Sequence, residues 1–151
     1  MELQYLSFLK PYKNLLGVIN GVNTQDIELM KKKYNVQLPV AYKEYLLLFG
    51  GKCGNFLNSY LMTYGNIERN FKTVIFDLEN TVHNNSFTLN PNIFFFGQWQ
   101  GTTFYFICDG NDNPAIYFLE DFDNIFVYKD SFTQFIFEEG LKPLLDNSSH
   151  K

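Results

Sequence analysis

The residues able to do chemistry are few and widely spaced. There are two histidines. His83 sits among Asn84, Asn85 and Ser86 in a polar stretch that reads as a surface loop, and His150 lies six residues past Leu144. Neither stands in a cluster of ligating residues large enough to hold a metal, so no zinc site is expected and neither is placed as a general base. Two cysteines, Cys53 and Cys108, offer no metal spacing and no disulfide framework. Cys108 ends an apolar run and reads as a packed thiol, while Cys53 has only Lys52 beside it to favour a thiolate. The stretch Gly110-Asn111-Asp112-Asn113 has the opening of a calcium loop without its distal ligand or flanking helices, so it reads as a turn. A lone arginine, Arg69, rules out an arginine cluster. No phosphate loop, dinucleotide fingerprint or serine elbow is present. Two carboxylates distant in sequence could still form a hydrolytic pair, but no pattern singles one out. The expectation is a non-catalytic protein with no cofactor and no metal.

What remains is chemistry of recognition. The formal net charge is −4, which argues against binding a phosphate backbone. Its distribution is uneven: residues 1–52 carry seven Lys against four acids, or +3, and the rest of the chain is −7. Between Lys72 and Lys129 there is no Lys or Arg. That gap holds the turn acids Asp109, Asp112, Glu120, Asp121 and Asp123, which suit a basic partner. Trp99, flanked by Gln98 and Gln100 in an expected turn, is the candidate aromatic anchor. The plainer alternatives are solvated turns for the acids and a ring folded back over the sheet edge for Trp99.

The elements that must carry these residues follow from periodicity. Leu3 to Tyr12 reads as a short helix or docking arm. Asn23 or Thr24 caps a helix with Asp26 and Glu28 in its first turn and Lys31, Lys32 and Lys33 in its last, matching the helix dipole. Ile27, Met30 and Tyr34 mark its buried stripe. In LPVAYKEYLLLFGG, Pro39 suits a first helical position, Leu38, Tyr42, Tyr45, Leu46 and Phe49 keep helical spacing, and Gly50 and Gly51 offer a left-handed cap. A short strand or two is expected around Tyr60-Leu61-Met62, then a helix capped near Thr73 that buries Ile75, Leu78 and Val82.

Beyond residue 90, runs of β-formers are split by Gly, Asn, Asp and Pro: Ile93 to Phe96, Thr103 to Cys108, Ala115 to Leu119 and Ile125 to Tyr128. Their nearly continuous apolar character predicts a sheet covered on both faces at its centre. Ser131, with Gln134 three residues on, caps a closing helix that buries Phe132, Phe135 and Ile136. The whole chain, 1–151, is expected to be one α+β domain, with its core over about 20–140 and a frayed tail at 146–151. Its sheet should be mostly antiparallel or mixed, with packed N-terminal helices and a C-terminal helix. No secretory pattern opens the chain and no apolar run spans a bilayer, so a cytoplasmic location without membrane contact is expected.

Three segments in this order resemble the SUKH superfamily, which takes in the fungal Smi/Knr regulators and many bacterial immunity proteins. The first is Leu38-Pro39-Val40-Ala41-Tyr42-Lys43-Glu44-Tyr45 with Phe49-Gly50-Gly51. The second is Ile93-Phe94-Phe95-Phe96-Gly97, Gly101 and Phe104 to Asp109. The third is Asn113-Pro114-Ala115-Ile116-Tyr117 with Ser131 to Ile136. The likeness covers roughly residues 20–140. It departs at Gln98-Trp99-Gln100, where members often carry Asp or Asn, and in the absence of Asn before Gly50. The resemblance implies an α+β fold and, in bacteria, an immunity protein that neutralises a cognate toxin, often a nuclease, of a polymorphic or contact-dependent system. A regulatory scaffold of the Smi/Knr kind is the alternative it offers, and a small-ligand-binding domain is a third. The quoted residues read as scaffold, which leaves the binding face to be found elsewhere. Neither the toxin nor the oligomeric state is encoded in these motifs.

Overall fold

The computed structural model describes residues 2–80, 89–121 and 124–149. A 3-10 turn (Ser7–Tyr12) runs into the one-turn helix α1 (Lys13–Leu16), burying Leu6, Leu9 and Leu16. The arm is held by a buried carboxylate: Glu44 accepts the backbone N–H groups of Gln4 (2.6 Å), Tyr5 (2.9 Å) and Leu6 (2.8 Å). Burying that charge is tolerable because three donors converge on it.

Helix α2 (Thr24–Tyr34) starts as its sequence requires, with Asn23 Oδ1 accepting from the Asp26 N–H at 2.8 Å. It ends on Asn35 in the left-handed conformation (φ 50°), a position Asn tolerates. Helix α3 (Val40–Phe49) buries Ala41, Tyr42, Tyr45, Leu46 and Phe49 on one side. Pro39 precedes it as the cap residue, one position earlier than its helix-starting character suggested. Gly50 and Gly51 do not supply a left-handed cap: Gly50 has φ −61°. A Cβ on Gly50 would come within 2.5 Å of the Leu46 carbonyl oxygen in its own helix, and one on Gly51 would press at 3.2 Å on the Asn20 carbonyl oxygen of a crossing segment. The crossing segment is strand β1 (Ile19–Asn20), which pairs antiparallel with β2 (Lys52–Cys53).

The expected strand at Tyr60-Leu61-Met62 is absent; the stretch is a chain of turns. Leu57 (φ 52°) and Leu61 (φ 49°) take left-handed backbone, which no extended ladder accommodates. The segment instead docks on the sheet, where the Tyr60 carbonyl accepts from the Gln98 N–H at 2.7 Å. Helix α4 (Ile67–Asn80) begins well before Thr73, and its buried positions are Ile67, Asn70 and Val74. Ile75, expected inside, is 39% exposed; Leu78 is half-buried, and Val82 lies outside the described residues.

The main sheet is an antiparallel meander in the order β3 (Ile93–Trp99), β4 (Thr102–Ile107), β5 (Ile116–Asp121), β6 (Asn124–Lys129). Phe94, Phe96, Phe104, Phe106 and Ile116 point into the core shared with α2, α3 and the C-terminal helices. Ile93, Phe95, Tyr105 and Leu119 point the other way, under Val74, Phe71 and Leu78 of α4. The sheet centre is therefore covered on both faces, as the unbroken apolar runs predicted. Edge strand β6 is not: Phe126 is 47% and Val127 58% exposed.

Ser131 Oγ accepts from the Gln134 N–H (3.1 Å) to open α5 (Phe132–Phe135), while Gln134 Oε1 reaches back to the Asp130 N–H (2.9 Å). The helix continues through a π-turn (Ile136–Leu141) into α6 (Lys142–Ser148). The backbone at 146–148 is thus helical rather than frayed. Among the described residues no helix is long and apolar enough to cross a membrane. The architecture is α+β.

Candidate functional site

The β3–β4 hairpin places Trp99. A bulge between Phe95 and Gly97 lets β3 continue two residues past its apolar run, so Trp99 is a strand residue paired with Thr102, not a turn residue. The turn itself is Gln100-Gly101, both left-handed (φ 48° and 82°), as a two-residue hairpin demands. Tyr60 stacks on the indole with centroids 5.6 Å apart and planes within 11°, leaving Trp99 39% exposed. The ring both folds back on the sheet edge and presents part of itself to solvent.

Across the sheet from Trp99 the same face continues with aromatic residues. Phe104 pairs in register with Phe118, and Phe118 with Phe126. Phe118 stacks on Phe126 at 5.3 Å, and Phe104 stacks on Tyr128 at 5.6 Å. Trp99, Thr102, Phe104, Phe118, Glu120 and Tyr128 line a shallow depression of about 330 Å³. Phe104, 2% exposed, is its floor. Glu120 is exposed at its margin, and its carboxylate makes no hydrogen bond or ion pair among the described residues.

Next to this rim lies a polar network on the π-turn. Glu139 accepts from the Tyr60 hydroxyl at 2.7 Å and from the Tyr128 hydroxyl. Glu138 pairs with Lys129 and accepts from Gln134 Nε2 at 3.1 Å. Lys129 Nζ stands 4.7 Å from the centroid of the Tyr128 ring. Burial first, then the bond to Glu139, push both phenols above the usual tyrosine range. The Lys129 contact holds the Glu138 carboxyl below the usual carboxylate range. Sequence reading missed this network, because Tyr60 and Glu139 are 79 residues apart.

The acids chosen from the sequence are divided by β5, about 17–20 Å of strand. Glu120, and Asp121 by its backbone position, belong to the Trp99 end; Asp123 lies outside the described residues. Asp109 and Asp112 fall at the opposite end, in a loop with structural duties. Asp109 Oδ1 accepts from the Asn111 N–H (3.0 Å), and Asn111 Oδ1 accepts from the Asn113 N–H (2.9 Å). The Asp112 carbonyl accepts from the Ala41 N–H at 2.9 Å, capping α3, and the Asn113 side chain exchanges two hydrogen bonds with Thr133 at 3.0 Å each. One continuous acidic face is therefore not formed by the five.

Burial, then Asp109, push the Cys108 thiol up to about 12, and burial raises Cys53. Cys108 stands just beyond the end of β4. His83 and His150 lie outside the described residues, and among those described no group of three or more His, Cys, Asp or Glu could hold a metal ion.

Compared with protein families, residues 21–138 match the SMI1 / KNR4 family (SUKH-1). The chain belongs to that family. The match runs from α2 into the π-turn, and the family-like residues are largely those the fold buries: Leu38, Tyr42, Tyr45, Phe49, Phe94, Phe96, Phe106, Ile116, Phe132 and Phe135. Trp99, Glu120 and Phe126 stand apart from them, on the surface of the same domain type. No curated protein sequence matches the chain significantly.

Proposed function

We propose that this chain is an immunity protein that binds and neutralises a cognate toxin domain, a nuclease being one such target, without catalysis of its own. The observation that carries the reading is the aromatic rim: Trp99, Phe126 and the half-buried Phe118 and Tyr128 are presented on a sheet held rigid by the ring-packed core behind it. Rigid, partly exposed aromatic rings are what protein interfaces use as anchors, since they bury much area and lose little side-chain entropy. Glu120 beside them, and the wide absence of Lys and Arg from residues 73–128, favour a partner with a basic surface. Membership of the SMI1 / KNR4 family (SUKH-1) agrees with a protein-binding role.

The test is co-expression with the toxin encoded beside it. Growth should be restored and the two proteins should co-purify. A chain that neither binds nor protects overturns the reading, and a pull-down that instead returns several host proteins would favour the regulatory scaffold.

A further inference from the structure

We infer that the depression between Trp99 and Glu120 receives an arginine side chain of the partner protein. The inference rests on the proposed binding role and adds the chemistry of the contact. At about 330 Å³ and open to solvent, the depression is at the small end of ligand sites and suits one side chain better than a metabolite. Its walls and floor are aromatic, from Trp99, Phe104, Phe118 and Tyr128, and the Thr102 hydroxyl adds a neutral polar group beside the Tyr128 phenol and the Trp99 indole N–H. A purely apolar visitor would be content with those rings, yet the margin carries the Glu120 carboxylate, which has no partner among the described residues. Ring faces attract cations, and a carboxylate within reach of the same visitor strengthens that preference.

The molecule already contains a version of this chemistry. Lys129 lies over the Tyr128 ring at 4.7 Å while pairing with Glu138, so cation, ring and carboxylate already meet at one of the rings that line the depression. Lys129 does not neutralise the depression, because it is committed to Glu138 and stands 3.9 Å from Glu139 as well. Counting Glu120, Glu138, Glu139 and Lys129, the surroundings keep an excess of negative charge. A guanidinium fits better than an ammonium. It is planar, more weakly hydrated, able to lie flat on an indole or phenyl face, and able to offer a carboxylate two parallel N–H donors.

Trp99 is the chain's one tryptophan, so its emission reports on this site alone. The probes are three blocked tripeptides, Gly-X-Gly, with X as arginine, lysine or citrulline; citrulline keeps the shape of arginine and removes its charge. Titrating the full chain, the arginine peptide should give a saturable change in Trp99 emission at millimolar concentrations. Lysine should bind several-fold more weakly and citrulline not measurably. Glu120→Gln should weaken the arginine peptide about five- to tenfold, as loss of a charged hydrogen-bond acceptor at an open site does. Glu28→Gln, on exposed α2, should change nothing. Equal responses to arginine and citrulline, or a Glu120→Gln titration like that of the parent, would overturn the inference. Growth protection by Glu120→Gln separates the two ideas. A lost arginine response with full protection leaves the immunity reading intact, while an arginine response in a chain that never protects leaves the site and removes the immunity role.

Discussion

The chain uses its rings in two ways, and the two regions touch. In the interior, Tyr42 lies within 5.1–6.2 Å of Phe94, Phe96, Phe106 and Phe132, with every one of these rings fully buried. At the end of the sheet, Trp99, Phe118, Phe126 and Tyr128 make the same kinds of stacked pairs but keep part of their surface in water. The residue types are alike; what differs is whether a helix lies on top. Helix α5 covers the middle of that face through Phe132 and Phe135, and no element covers it beyond Phe104 among the described residues. The interior rings therefore contribute stability, whereas the rim rings are left with surface to bury against something else.

Substitutions can break or sharpen this division. Phe96→Ala should cost about 3–5 kcal/mol of unfolding free energy, a large part of the total for a domain of this size, read as a drop in the urea midpoint. A loss below about 1 kcal/mol would mean that the interior rings are not the main support. Glu44→Ala should cost about 2–3 kcal/mol, because the N–H groups of Gln4, Tyr5 and Leu6 lose their acceptor. Faster hydrogen exchange confined to that arm would identify the cause.

At the rim, Tyr60→Phe should cost about 1 kcal/mol by removing one donor to Glu139. The same network has a pH signature. Tyr60 and Tyr128 have phenols raised in the fold, so their contribution is fully present below the ordinary tyrosine value and is lost as pH climbs above about 10 toward the folded value. Alkaline unfolding followed by phenolate absorbance should show a weaker pH dependence in Tyr60→Phe. The smallest effect on stability, below about 1 kcal/mol, is expected for Trp99→Ala, together with at least tenfold weaker binding of the toxin. Trp99→Ala that unfolds the chain, or that binds as before, would erase the contrast between interior and rim.

Much of the architecture was legible because its signals are local. The Asn23 cap, the lysines closing α2, the spacing of Tyr42, Tyr45 and Phe49 in α3, and the Ser131–Gln134 cap all act within a turn or two of themselves. The segment from Asn55 to Gly65 was not legible, since the left-handed residues there are Leu57 and Leu61, which carry no glycine-like mark. The start of α4 was hidden by Asn70, a polar side chain in a buried stripe whose Nδ2 donates to the Leu61 carbonyl, nine residues upstream, at 3.0 Å. The role of Glu44 was not legible because its partners are backbone groups 38 to 40 positions upstream. At the candidate site, Trp99 was visible from its type and polar neighbours. The division of the acids was within reach too: one strand between two turns must put those turns at opposite ends of it.

The bond from the Ala41 N–H to the Asp112 carbonyl has a practical consequence for anyone modifying this molecule. An epitope or fluorophore-bearing insertion between Gly110 and Asn113, an inviting hairpin tip by composition, would pull the cap off α3 and be felt in the centre of the fold. Gly65, where an added Cβ would meet nothing within 4 Å, is the safer place to attach a label.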